Sequence, residues 1–196
     1  MVKNFPDRMQ RNFEKVRETG EWKDFVIQWH LRGKDSIHTD LRLDTGELLE
    51  GFTLFTPSSM DKEDELTESP ENIRGTIKLP QPREWLKVEG GYPAGSPGST
   101  SESSSYFAVI AKGKYKPLMI EDHKIVFELK SEAGNTKEIK PIKEEDKEQV
   151  AEFNKKIPDK LKILNGCFSY HIAHIEPRHI ILFDKLKECP KVKEEQ

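Results

Sequence analysis

Hydrophobic positions along this chain fall into short, dense groups set between long charged stretches. Near the start, Met9, Phe13 and Val16 recur at helical spacing. That spacing predicts an amphipathic helix from about Pro6 to Glu18, stopped by Gly20. Residues 1–22 therefore read as a helical N-terminal extension. The pattern then changes. Phe25 to Trp29 (FVIQW) is a compact run of branched and aromatic residues, which suits a strand. Arg32-Gly33-Lys34-Asp35 reads as a turn, Ile37 to Leu43 as a second strand, Thr45-Gly46 as another turn, and Glu47 to Phe55 as a third strand. Strands joined in this way by short loops make a meander.

Farther on, residues 57–72 are acidic and polar and predict a flexible loop. Ile73 to Leu79 predicts a strand, and REWLKVEGG within Gln81 to Gly91 a short strand ending in two glycines. Residues 93–105 are almost wholly small and predict a second flexible loop. Tyr106 to Ile110 and Ile125 to Leu129 read as strands separated by a Lys-Gly-Lys turn and an irregular stretch. Glu144 to Lys156 predicts a charged helix with Val150 and Phe153 on its buried stripe, stopped by Pro158. Two strands follow, CFSYHIAHI and HIILFDKL. Many short strands with one or two peripheral helices predict a mainly β, antiparallel barrel or sandwich, as a single domain over residues 1–196.

Composition narrows the function. Hydrophobic and charged residues each make up 34% of the 196 residues, which fits one core carrying charged excursions. The formal net charge is −3, so the chain lacks the basic excess of a protein that grips long stretches of nucleic acid. Any nucleic-acid contact is expected to be local, at an end. Cys167 and Cys189 have no metal-type spacing and read as free thiols of a cytoplasmic protein. The charged N-terminal stretch does not read as a signal peptide, and no run approaches a membrane span.

The chemistry concentrates in Ile37-His38-Thr39-Asp40-Leu41-Arg42-Leu43-Asp44. Side chains alternate along a strand, so Ile37, Thr39, Leu41 and Leu43 share one face. Ser36, His38, Asp40, Arg42 and Asp44 share the other. A polar row of this kind fits a half-solvated strand. It also fits a metal site, because a same-face imidazole and carboxylate can hold one ion while a neighbouring guanidinium holds a phosphate. His30 ends the preceding strand, and an antiparallel hairpin can bring it to His38. Two histidines and one aspartate leave positions open on an ion, as catalytic sites do. Such ligands suit manganese, zinc or iron. His123, beside Glu121 and Asp122, reads first as a loop residue. His171 and His174 are expected on opposite faces of their strand, which argues against a joint site with His179 nearby.

The run FVIQWH…HTDLRLDTGELLEGFTL, from Phe25 to about Pro57, resembles the opening of the 3′-phosphoesterase domain of DNA ligase D. EWLKVEGGYPAGSPG, within the stretch from Pro82 to Gly98, resembles that family's second block. Together they cover roughly a third of the chain. The chain is similar to a stand-alone, divergent member. The resemblance implies a small β-barrel enzyme, a hydrolase of DNA repair that uses manganese, with zinc as the alternative ion. It would remove a 3′-terminal ribonucleoside and then the 3′-phosphate, leaving a hydroxyl for sealing. It implies His30, His38 and Asp40 as metal ligands and Arg42 as the phosphate contact, with Arg32 and Lys34 on the substrate side. Gln81 stands where the family has a catalytic histidine, and Trp85 where it has a tyrosine. The insert from Leu31 to Ile37 is longer than usual, and the family's lysine near Phe55-Thr56-Pro57 is missing. Glu89 and His123 are candidates to support a ligand or replace the missing histidine. The partner implied is a nucleic-acid 3′ end, with a ligase or polymerase acting alongside and no membrane. The alternatives are a catalytically decayed module that binds such ends or a repair or replication partner, and a metal-free structural protein on the same scaffold.

Overall fold

A computed structural model describes residues 4–33, 36–55, 73–133, 138–157, 165–175 and 178–191. The chain opens with α1 (Asp7–Thr19). Four strands follow: β1 (Lys23–Arg32), β2 (Ser36–Asp44), β3 (Leu49–Phe55) and β4 (Ile73–Ile77). A 3-10 turn (Arg83–Lys87) leads to β5 (Gly90–Tyr92), β6 (Ser105–Ile120) and β7 (Lys124–Ala133). Then come a 3-10 turn (Glu144–Asp146), α2 (Lys147–Lys155), β8 (Asn165–Ile175) and β9 (Arg178–Lys185).

The strands form one antiparallel sheet in the order β1-β2-β3-β4-β9-β8-β7-β6-β5. A further β1–β6 pairing joins eight of them into a ring, leaving β5 as a flap on β6. This bears out the mainly β, antiparallel expectation. Every sheet edge in the ring is paired, which removes the open edges that invite association.

One face of this sheet carries a continuous apolar cluster that includes Phe25, Ile27, Trp29, Leu41, Leu43, Phe52, Leu54, Tyr115, Phe127, Phe168 and Tyr170. Phe52 stacks on Tyr170 with centroids 4.5 Å apart, and Phe168 stacks on Phe183 at 5.0 Å. The N-terminal helix is part of this core. Met9, Phe13 and Val16 are buried, and Phe13 meets Tyr115 and Phe127 edge to face. Arg8 donates to both carboxylate oxygens of the buried Glu50, at 2.9 and 3.1 Å, and Asn12 donates to it at 2.8 Å. A buried carboxylate needs such partners. Trp29 joins α2 to the same cluster, stacking on Phe153 and donating its indole N–H to the Phe153 carbonyl at 3.1 Å.

Three local expectations are corrected: the Lys-Gly-Lys turn, the REWLKVEGG strand and the free thiols. Lys112-Gly113-Lys114 is no turn, because β6 runs straight through it. Gly113 lets the Lys130 carbonyl lie where a Cβ would stand, 2.0 Å away, so the glycine serves close strand approach. REWLKVEGG forms a 3-10 turn before β5, not a strand. Residues 93–104 make a folded loop held by bonds from Gly95 N–H to Thr100 O (2.8 Å) and from Ser99 N–H to Ser96 O (3.0 Å). Cys167 and Cys189 are joined in a disulfide, tying the segment after β9 to β8. That pairing removes the thiol argument for a reducing compartment. The 57–72 loop lies outside the described residues. Among those described, no helix is long and apolar enough to cross a membrane.

Candidate metal centre

The β1–β2 hairpin places the site. Its register pairs Val26 with Arg42, Gln28 with Asp40 and His30 with His38, and closes at Arg32 opposite Ser36. The longer insert thus keeps the two histidines directly opposed. On β3, Thr53 pairs with Asp40. Gln28, His30, His38, Asp40, Arg42 and Thr53 therefore meet on the face opposite the apolar cluster. That face is not the solvated one expected for a polar row, because Asp40 and Gln28 are wholly buried and Arg42 is 3% exposed. The 3-10 turn region and the 93–104 loop reach it through the Trp85, Val88 and Gly98 carbonyls.

His30 Nδ1 lies 3.1 Å from His38 Nε2 and 3.6 Å from Asp40 Oδ2, and His38 Nε2 lies 3.5 Å from Asp40 Oδ2. These spacings leave a point about 2 Å from all three atoms, the length of a zinc–nitrogen or zinc–oxygen bond. The second contact of His30 supports the same use. Its Nε2 is 3.0 Å from the Gly98 carbonyl. A carbonyl only accepts, so Nε2 carries the proton and neutral His30 turns the Nδ1 lone pair toward the cluster. The ring is also stacked on Phe107 at 4.0 Å. Burial pushes the His30 pKa down to about 4, against the raising influence of the Asp40 carboxylate, which keeps the ring neutral and able to ligate.

Asp40 is fixed from every side. Arg42 Nη2 donates to Oδ2 at 3.0 Å, and Thr53 Oγ1 donates to Oδ1 at 3.1 Å. Lys78 Nζ stands 3.0 Å from Oδ1. Burial opposes the Asp40 charge, but His38 and Lys78 beside it hold the carboxyl well below its ordinary range. Arg42 is in turn held by Gln28, which accepts from Nε at 2.7 Å, and its guanidinium lies over Trp85 at 4.6 Å. Gln28 donates onward to the Trp85 and Val88 carbonyls at 2.7 and 3.0 Å. The positions that bear chemistry are thereby tied to the 3-10 turn by one buried network.

The remaining candidates separate clearly. Arg42 was expected to hold a phosphate; its Nε, its Nη2 and a face of its guanidinium are engaged with Gln28, Asp40 and Trp85. Gln81 exchanges both backbone bonds with Leu49, at 2.8 and 3.0 Å, which puts its backbone at the far end of β3 from Thr53, about 13 Å away by strand rise. His123 lies in the β6–β7 turn, the length of β6 from Phe107, the partner of His30. The backbone bonds of that turn run to Phe5 and Ile172, not to the residues that meet Asp40. Glu89 precedes β5, but it is the Gly98 carbonyl that supports His30. Arg32 is exposed at the end of β1, two residues past His30. Lys34 lies outside the described residues, and so do the side chains of His174 and His179.

Sequence reasoning missed Lys78, Thr53 and Gly98. Thr53 was within reach, since it sits on the strand after the Asp40 strand. Lys78 follows a chain segment too long to place by pattern. Gly98 acts through its carbonyl, which no residue type announces.

No protein-family model matches the chain, and no curated protein matches it.

Proposed function

We propose that the chain is a metal-dependent phosphoesterase acting at nucleic-acid 3′ ends, and that its eight-stranded ring is a small β-barrel carrying the site on one face. The observation that supports this best is the convergence of His30 Nδ1, His38 Nε2 and Asp40 Oδ2 within 3.6 Å of one another, with the His30 proton placed on the far nitrogen by Gly98. Manganese fits this set of nitrogen and oxygen donors, with zinc as the alternative. When bound, such an ion supplies Lewis-acid polarisation of a phosphate and acidifies water.

The protein's own part is orientation. Arg42 and Thr53 hold the Asp40 carboxylate in one geometry, and Phe107 and Gly98 fix the His30 ring. Preorganised ligands of this kind need no rearrangement when substrate arrives. Hydrolysis of a 3′-phosphomonoester forms one P–O bond from water and breaks the bond between phosphorus and the 3′ oxygen, leaving a 3′-hydroxyl and inorganic phosphate. The net charge of −3 favours this local contact over binding along a groove. A DNA ligase or polymerase would use the product.

The position of Gln81 and the seating of Trp85 on Arg42 favour a second reading, a module that keeps the metal and the end-binding surface but has lost hydrolysis. The test is a primer–template bearing either a 3′-phosphate or one 3′-terminal ribonucleotide, incubated with manganese. The enzyme reading expects a 3′-hydroxyl product from wild type and none from His38→Ala. Binding of the 3′-phosphorylated end without any product supports the decayed module instead.

A further inference from the structure

Lys78 follows the end of β4, where its backbone N–H donates to the Gly51 carbonyl at 2.9 Å. Its ammonium carries three N–H donors and no acceptor. One lies 3.0 Å from Asp40 Oδ1 and another points to Thr53 Oγ1 at 3.4 Å. The side chain keeps 21% of its exposure, against 3% for that of Arg42.

Asp40 does not need this second cation to be satisfied. Arg42 already donates to Oδ2 and Thr53 to Oδ1. Two cations around one carboxylate leave the cluster with a surplus positive charge in a partly desolvated setting, where charge interactions are strengthened. Such a surplus attracts an anion. The placement suits a tetrahedral one. Lys78 flanks Oδ1, while Oδ2 is the oxygen that faces the histidines. A phosphoryl group with one oxygen toward the histidines can turn another toward the amine.

Resting on the phosphoesterase reading above, we infer that Lys78 binds a non-bridging oxygen of the phosphate presented to the His30–His38–Asp40 cluster. Lys78 is then a substrate-binding residue, and Arg42 a positioning residue behind it.

The two roles open to Lys78 predict opposite behaviour. An anion-binding amine repels a divalent cation, so its loss leaves manganese affinity unchanged or tighter while phosphate affinity falls. A prop for Asp40 would lose both together. The experiment is calorimetric titration of manganese into wild type, Lys78→Met and Lys78→Arg, followed by inorganic phosphate into each manganese-loaded protein. Lys78→Met is expected to weaken phosphate binding by about tenfold or more, the worth of one charge-assisted hydrogen bond, without weakening manganese binding. Lys78→Arg is expected to restore most of the phosphate affinity. Unchanged phosphate affinity in Lys78→Met, or parallel loss of manganese and phosphate, overturns the assignment. If wild type itself takes up no manganese, the phosphoesterase reading fails first, and the role of Lys78 falls with it.

Discussion

His30 and His38 face each other directly across the β1–β2 hairpin, with Nδ1 and Nε2 3.1 Å apart. The register that produces this contact also sets Gln28 against Asp40, so the ligands and their buried support come from one pairing. A slip of one residue would send His38, Asp40 and Arg42 to the apolar face. The site is therefore only as stable as the hairpin register, and its supports can be tested one at a time.

Gly98 has a φ of +83°, and a Cβ there would lie 2.7 Å from Trp85 and 2.8 Å from Phe107. Gly98→Ala is expected to displace the loop, loosen the carbonyl from His30 Nε2 and cost about 1–3 kcal/mol. Manganese titration beside urea unfolding checks this. The variant should bind the ion more weakly even under conditions where it remains folded.

Arg42 combines a bond to Asp40, a bond to Gln28 and a stacked contact on Trp85. A lysine has neither the fork nor the planar face. Arg42→Lys is expected to destabilise the fold by about 2–4 kcal/mol, since a buried carboxylate and a buried amide each lose a partner. Chemical denaturation of the purified variant measures it.

Tyr106 donates its hydroxyl to Asp146 at 2.6 Å and accepts from the Ile142 N–H at 3.1 Å, linking β6 to the start of α2. Burial first, and then the bond to Asp146, push its pKa up to about 12. The folded phenol thus resists ionisation more than the unfolded one, which titrates near 10. Its contribution to stability is complete below pH 10 and is lost as the pH rises toward 12. Unfolding curves between pH 9 and 12 should show a loss that is smaller in Tyr106→Phe, whose stability at neutral pH is itself expected to be lower by about 1 kcal/mol.

The Cys167–Cys189 bond closes a loop with a sequence separation of 22. Reduction is expected to lower stability by about 3 kcal/mol through the freedom it restores to the unfolded chain. Thermal melts with and without reductant, together with thiol counting on the unfolded protein, check this. The wild type should yield no free thiol before reduction.

The elements legible in the sequence were those whose signal is local. Strands β1 to β3, the helix with Met9, Phe13 and Val16, and the α2 stripe of Val150 and Phe153 all follow from periodicity. So does the meeting of His30, His38 and Asp40, because alternation and one hairpin suffice to assemble them. What escaped depends on distant pairing. The polar face of β2 is buried where the 3-10 turn region and Gly98 meet it, contacts between segments far apart in sequence. The straight run of β6 through Gly113 is set by Lys130 on the neighbouring strand. Lys78 reaches Asp40 through the β3–β4 pairing, which no local pattern shows. The two cysteines, far apart in sequence, join because β9 returns the chain to β8.

The most direct measurement is a titration of manganese, and separately of zinc, into the metal-free protein, with His38→Ala and Asp40→Ala as controls. The account predicts one ion per chain in wild type and loss of that site in both variants, which remain folded by circular dichroism. Wild type that takes up no ion, or variants that bind as wild type does, would contradict a metal centre at His30, His38 and Asp40.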